Sequence, residues 1–211
     1  TNTFDTFNYN YSIDWGDGSK TENITDSTEQ THIYSAPGDY EVSISGQFEA
    51  MTTFSKDDQD KLIAINQLGD VGWKNLFYLA WDASNLKSFR GSIPKSVINT
   101  SFMFANCSSL EEVDLSGSNT SEVTNMSGMF GFASSITNLD LSSFDTSKVE
   151  TMESMFREMT SLTHLDISSF NTSNVKNMKM TFRGPNNLSE LNLSHFDTSN
   201  VTIMDSMFNE L

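Results

Sequence analysis

Two groups of carboxylates and one thiol are the side chains in this 211-residue chain whose type and spacing suggest chemistry. Asp14 and Asp17 lie in Asp14-Trp15-Gly16-Asp17-Gly18, where two oxygen donors on a glycine turn could begin a calcium loop. Calcium takes about six to eight oxygens, more than this segment converges, and such turns usually bond their own backbone. Asp14 and Asp17 are therefore only weak metal candidates, and no cofactor is expected. Asp114, Asp140 and Asp166 recur at a fixed interval with His164 near the last two. A lone imidazole beside carboxylates, without a nucleophile at a defined spacing, a glycine-rich phosphate loop or a metal triad, does not make an active site, so catalysis is not expected. Cys107 is the single cysteine, which excludes an intrachain disulfide framework and a multi-thiolate zinc site.

The whole-chain balance narrows the partners. Lys plus Arg number 12 against 28 Asp plus Glu, a net charge of −16, and such a field repels nucleic acid and anionic headgroups. With 19% charged residues and abundant Ser, Thr and Asn, the surface is mostly neutral polar, as is common for proteins facing an extracellular medium. No apolar run reaches the roughly 18 residues of a membrane span, and no basic-apolar leader opens the chain. A soluble fragment or mature form is expected.

The elements that position these residues come from an internal repeat. Leu110, Ile136, Leu162 and Leu188 recur at 26 residues, as do Val123, Val149, Val175 and Val201, Met126, Met152, Met178 and Met204, and Phe130, Phe156, Phe182 and Phe208. A 24-residue form extends backward, aligning Leu62 with Leu86 and Leu110, and Trp73 with Val97. Periodicity of this kind predicts a solenoid of six units, 62–85, 86–109, 110–135, 136–161, 162–187 and 188–211. Within a unit, Leu139-Asp140-Leu141 alternates as a short strand with Asp outward, while Val149, Met152 and Phe156 follow the spacing of one helical turn. The expected fold class is an α/β repeat, with one parallel sheet on one face, short helical turns on the other and a β-rich N-terminal cap. Asp145, Asn171 and Asp197, in Phe-Asp/Asn-Thr-Ser segments, suit Asx-turns or caps. Phe144, Phe170 and Phe196 form an inward column broken at Ser118, and Cys107, aligned with Ala133, Met159 and Pro185, reads as core filler.

The repeat form Leu-x-x-Leu-Asp-Leu-Ser-x-Phe-Asp-Thr-Ser-x-Val-x-x-Met-x-x-Met-Phe resembles the BspA-like leucine-rich-repeat surface proteins of bacteria, over about two thirds of the chain. The resemblance implies a secreted or surface-anchored protein used for adhesion or ligand binding, without catalysis. An ordinary leucine-rich repeat has an inward Asn where this chain has Phe144, Phe170 and Phe196, so an Asn ladder is not expected.

Residues 1–49 lack the period. Tyr9, Tyr11 and Ile13 alternate, a glycine turn follows, and Tyr40, Val42 and Ile44 alternate again, predicting strands. Asp14-Trp15-Gly16-Asp17-Gly18-Ser19 together with His32-x-Tyr34-x-x-Pro37-Gly38-x-Tyr40-x-Val42 looks like the end of a PKD-type β-sandwich, at about half its length. Either the sandwich has lost N-terminal strands or the segment is a compact cap for the solenoid, the favoured reading. Residues 50–61, with Lys56-Asp57-Asp58-Gln59-Asp60-Lys61, read as a solvated connection.

Function is expected on the outward strand columns, Glu112, Asn138, His164 and Glu190 beside Asp114, Asp140, Asp166 and Asn192. Stacked Asp residues repel one another unless something offsets the cost. They could attract a cationic partner or a divalent ion, or bond sugar hydroxyls, or simply be solvated surface copied by duplication. The scarcity of aromatics there favours a protein over a glycan. The expectation is an extracellular or cell-surface module binding a protein or glycan, with a ligand-free spacer as the alternative and calcium-dependent adhesion behind both.

Overall fold

The structure, a computed structural model, describes residues 6–52 and 58–211. Lys56 and Asp57 of the expected connection lie outside the described residues. The chain divides into two compact units, Thr1–Ala50 with Asp70–Lys74, and Met51–Gly69 with Asn75–Leu211.

The first unit is a small antiparallel sheet of β1 (Tyr9–Asp14), β2 (Lys20–Ile24) and β3 (Ser43–Phe48) in the order β2-β1-β3. Alternation in β1 sends Tyr11 and Ile13 inward, where Tyr11 packs on Phe48 with ring centroids 4.6 Å apart. A glycine lets two backbones approach: at Gly46, φ is +101° and an added Cβ would lie 2.4 Å from the Asn10 carbonyl, directly across the β1–β3 ladder. The alternation at Tyr40-Val42-Ile44 does not mark a strand over its whole length. Pairing begins at Ser43, and Val42 is 46% exposed, because the segment before it is held through side chains. There the Tyr34 hydroxyl donates to the Trp15 carbonyl at 2.9 Å and the Tyr34 and Tyr40 rings stack at 4.0 Å. Residues 70–74, which the period assigned to the first repeat, pair here instead. The Phe48 N–H donates to Val71 O at 2.7 Å, the Lys74 N–H donates to Glu49 O at 2.8 Å, and Trp73 meets Phe48 edge-on.

The second unit is the repeat array. Its strands are β4 (Ala64–Ile65), β5 (Ser88–Arg90), β6 (Glu112–Asp114), β7 (Asn138–Asp140) and β8 (His164–Asp166), all paired in parallel and in register at the repeat interval. The single sheet expected from the sequence is two short ones, β4-β5-β6 and β7-β8. The break falls after the third unit, the one with Gly117 and Ser118 where the next has Ser143 and Phe144. The sixth unit forms no strand at 190–192. Behind the strands the apolar columns are buried as the period requires: Leu110, Ile136 and Leu162, Val123, Val149 and Val175, Met126, Met152 and Met178. Phe104, Phe130, Phe156 and Phe182 stack as a continuous column with centroids 5.5–6.2 Å apart. Each such side chain contributes roughly 1.5–3 kcal/mol on burial, available only when a neighbouring unit covers it.

The face opposite the strands corrects the expected helical turns: no α-helix forms among the described residues. Two residues in every unit, four apart, have left-handed φ: Tyr78 and Asp82, Phe102 and Asn106, Gly128 and Phe132, Ser154 and Glu158, Met180 and Gly184, Ser206 and Glu210. A right-handed helix cannot contain them. Instead the chain runs as consecutive tight turns whose N–H groups alternate in destination. Those of Met129 and Gly131 bond within the unit, to Met126 O at 3.3 Å and Gly128 O at 3.0 Å. Those of Met126, Gly128, Phe130 and Phe132 cross to Thr151, Glu153, Met155 and Arg157 carbonyls of the next unit. The polar backbone groups of these turns thus find partners without a helix, and the ladder, like the core, exists only in the stack.

Of residues 58–61, Asp58, Asp60 and Lys61 are exposed and one is not. Gln59 is buried in a 3-10 turn (Gln59–Lys61), and Asp60 accepts from the Ser84 hydroxyl at 2.5 Å and, through its carbonyl, from Asn85 Nδ2 at 2.8 Å.

Candidate binding face

On the strand face, Glu112, Asp114, Asn138, Asp140 and His164 are exposed and Asp166 is half-buried. Register places Asn138 opposite His164 and Asp140 opposite Asp166. Asp114 stands opposite Arg90, and the break between β6 and β7 separates it from Asp140, so the acidic stripe is one in-register pair rather than three stacked rungs. Glu190 and Asn192 are exposed on the irregular strand-side segment of the sixth unit.

Each carboxylate or amide of the Asp114 column has a local task. Asp114, Asp140, Asp166 and Asn192 accept, through Oδ1, the N–H of the Ser two residues on at 2.9–3.0 Å. These are Asx-turns, which end the strand and turn the chain. The Ser116 hydroxyl and N–H, helped by Arg90, hold Asp114 below the ordinary carboxylate range, and Ser168 does the same for Asp166 with help from His164. The column therefore reconciles turn-making with exposure: Oδ1 is committed and the rest of the carboxylate faces out. Glu111, Asp140 and Glu190 take part in no ion pair among the described residues, whereas Arg90 lies 3.7 Å from Glu112.

The flank differs. Lys148 pairs with Glu122 at 2.6 Å, Lys176 with Glu150 at 2.8 Å and Lys179 with Glu153 at 3.6 Å, each pair joining adjacent units. Negative charge there is braced by lysine; on the strand face of the later units it is not.

The second turn segment behaves as its residues suggest. Asp145, Asn171 and Asp197 accept the N–H of Ser147, Ser173 and Ser199 at 2.9–3.0 Å, and the Ser hydroxyl and N–H hold Asp145 and Asp197 below the ordinary range. Between them runs a ladder that sequence reasoning missed. The buried Thr120, Thr146 and Thr172 hydroxyls each donate to the carbonyl, and accept from the N–H, of residue 145, 171 or 197 in the next unit at 2.8–2.9 Å. Its signal was the Thr that recurs in every Asp/Asn-Thr-Ser segment. An Asn column was missed as well, at another corner: Asn75, Asn99, Asn125 and Asn177 accept the N–H two residues on at 2.8–3.0 Å. Where the Phe column breaks, Ser118 Oγ donates to Leu115 O and accepts from Ile93 N–H, beneath a shallow polar notch of about 450 Å³.

The remaining candidates are wired into the fold. Asp14 accepts from Gly16 N–H at 3.1 Å and pairs with Lys20 at 3.0 Å; the Lys20 contact, then the Gly16 bond, lowers its pKa. Asp17 accepts from Ser19 and lies 2.8 Å from His32 Nε2, and these contacts depress it further. His32 in turn stacks on Trp15 at 4.9 Å. Asp14 and Asp17 thus bind separate partners rather than converging, and among the described residues no group of three or more His, Cys, Asp or Glu is placed to hold a metal. Cys107 is buried with Sγ 3.0 Å from Ala80 O, and burial pushes its thiol up to about 12. No helix among the described residues is long and apolar enough to cross a membrane.

No curated protein and no solved structure matches the chain. One family model matches twice, over residues 73–165 and 135–211, and the overlap of the two matches is what a repeating pattern produces. Through these matches, which together span residues 73–211, the chain belongs to the bacterial family described as Mycoplasma protein of unknown function, DUF285.

Proposed function

We propose that this protein is an extracellular, cell-surface binding module that recognises a protein partner through the exposed strand face of its repeat array, and that it has no catalytic role. The observation that carries the reading is the contrast in charge between faces. The flank is braced by Lys–Glu pairs, whereas Asp140 and Asp166 oppose each other in register, and Asp140, Glu111 and Glu190 take part in no ion pair among the described residues. Facing like charges lowers stability, so a cationic surface that offset them would gain affinity from the interaction. The neutral polar composition and the resemblance of the repeats to BspA-like surface proteins support the location, and the Asp-Trp-Gly-Asp-Gly turn supports a PKD-like character for the first unit.

The test is binding of the purified chain to arrays of basic and neutral peptides and of glycans, beside a variant carrying Asp140→Asn, His164→Ala and Asp166→Asn, and a flank variant carrying Lys148→Gln. Salt-sensitive retention of basic peptides, lost in the strand-face variant and kept in the flank variant, is expected. Equal loss in both variants, or retention of neutral glycans alone, would remove the protein-partner reading. Retention of nothing would favour a spacer that projects another module.

A further inference from the structure

On the side of the array formed by the consecutive turns, two successive units carry arginine at the same position, Arg157 and Arg183, 26 residues apart, and surround it differently. Arg183 stands between carboxylates: its Nε lies 3.8 Å from Glu158 Oε1, and one of its terminal nitrogens lies 3.5 Å from Glu210 Oε1. Those two acids belong to a column that reads Phe132, Glu158, Gly184 and Glu210 at the same interval. One unit earlier, the positions that hold Glu158 and Glu210 around Arg183 hold Phe132 and Gly184 around Arg157. Neither offers a carboxylate.

Arg157 accordingly takes part in no ion pair and no side-chain hydrogen bond among the described residues. It is half-buried, with its guanidinium 4.8 Å from the centroid of the Phe132 ring and its Nε buried without a partner. The Nε of Arg183 also lacks a hydrogen bond, so what separates the two arginines is the charge that faces them. Acids close by in the chain are committed to the following unit. A Cβ on Gly184 would lie 2.8 Å from Glu158 Oε2, so the glycine makes room for that carboxylate beside Arg183, while Glu150 and Glu153 pair with Lys176 and Lys179. With 28 Asp and Glu against 12 Lys and Arg, Arg157 does not go without an acid for want of them.

We propose that Arg157 and Phe132 form a binding site for a carboxylate carried on an apolar group, with the guanidinium edge taking the carboxylate and the exposed part of the ring taking the apolar group. The internal comparison supplies the ligand class, because a carboxylate is what stands in the same place beside Arg183. A guanidinium presents parallel N–H donors that match its two oxygens. The apolar part follows from Phe132, which is 40% exposed beside the cation, and from the net charge of −16, which works against a ligand held by charge alone. The site lies on the turns, so this inference is independent of what the strand face binds.

Heteronuclear NMR of the full chain tests it through the Arg157 Nε–H signal, with the Arg183 signal as internal control. The probes are phenylpropionate, acetate, phenylpropionamide and acetylated Gly-Phe with a free terminal carboxylate. Phenylpropionate is expected to shift the Arg157 signal saturably and leave Arg183 in place, with acetate and the amide binding about tenfold or more weakly. Two variants close the site by different routes. Phe132→Glu builds beside Arg157 the acid that Arg183 already has, at a left-handed φ of +63° where Glu158 itself adopts +56°. Arg157→Gln removes the charge and keeps the backbone bonds to Ser154 and Phe132. Each is expected to weaken phenylpropionate about tenfold or more while the chain still melts cooperatively. Tighter binding of the peptide than of the free acid assigns the carboxylate to a chain terminus, and the reverse order assigns it to a free organic acid. An equal response to the amide, an equal shift at Arg183, binding that survives in both variants, or no shift with any acid would overturn the proposal.

Discussion

At the scale of single residues, most of the polar chemistry in this chain is spent on turning and joining it. Thr146 is the clearest case, since its buried hydroxyl both donates to and accepts from the backbone of Asn171. Thr146→Val keeps the shape and removes both bonds to the Asn171 backbone, so a loss of about 2–3 kcal/mol is expected, while Thr146→Ser loses little more than a methyl group, about 1 kcal/mol. Urea melts of both variants check this, and equal losses would mean that the methyl and not the hydroxyl matters. Asp145 gives a prediction in pH. Its pKa is lowered in the folded state, so its contribution is complete above the ordinary Asp value of about 3.9 and disappears as pH falls through the depressed one. Asn171 shows that an amide serves the same turn. Asp145→Asn is therefore expected to match the wild type near pH 7 and to lose less stability between about pH 4 and pH 2. An unchanged acid limb would mean that the Ser147 contacts do not stabilise the ionised form.

At the scale of the element, the repeat was readable and its second face was misread, for a physical reason. The columns that run through Ile136, Val149 and Phe156 report burial, and burial at intervals of three and four residues is produced equally by a helix and by consecutive turns that share an inward side. What separates the two is backbone handedness, and the residues that bear it include Tyr78, Phe102 and Ser154, none a glycine. Only Gly128 and Gly184 hinted at it. The Asx-turns, by contrast, were legible at Asp145, Asn171 and Asp197 because Asp or Asn in a polar Thr-Ser setting announces its own hydrogen bond. The strand positions were legible too, but not the gap between β6 and β7, since pairing depends on neighbouring units and not on one unit's alternation. The left-handed site can be tested directly. Ser154 has φ +57°, which costs a non-glycine residue roughly 1–2 kcal/mol, so Ser154→Gly is expected to raise the thermal midpoint by a few degrees and Ser154→Val to lower it. A helical segment would respond in the opposite sense to the glycine.

At the scale of the whole molecule, charge sets the balance that the strand face inherits. A net charge of −16 repels itself, and exposed Lys–Glu braces at the flank, screened by solvent, return little of that cost. Screening should therefore stabilise this protein, with a thermal midpoint that rises as NaCl goes from about 0.01 to 0.5 M. Part of that rise belongs to Asp140 opposite Asp166, a like-charge pair that costs roughly 0.2–1 kcal/mol. Asn192 accepts the same Ser N–H as the aspartates do, so Asp140→Asn keeps the turn while removing one charge. The variant is expected to melt about 1–3 °C above the wild type at low salt, with the difference closing at high salt. A gain that salt leaves unchanged would assign it to packing, and a loss would mean that the paired carboxylates stabilise the array, which would take away the energetic argument for a cationic partner on that face.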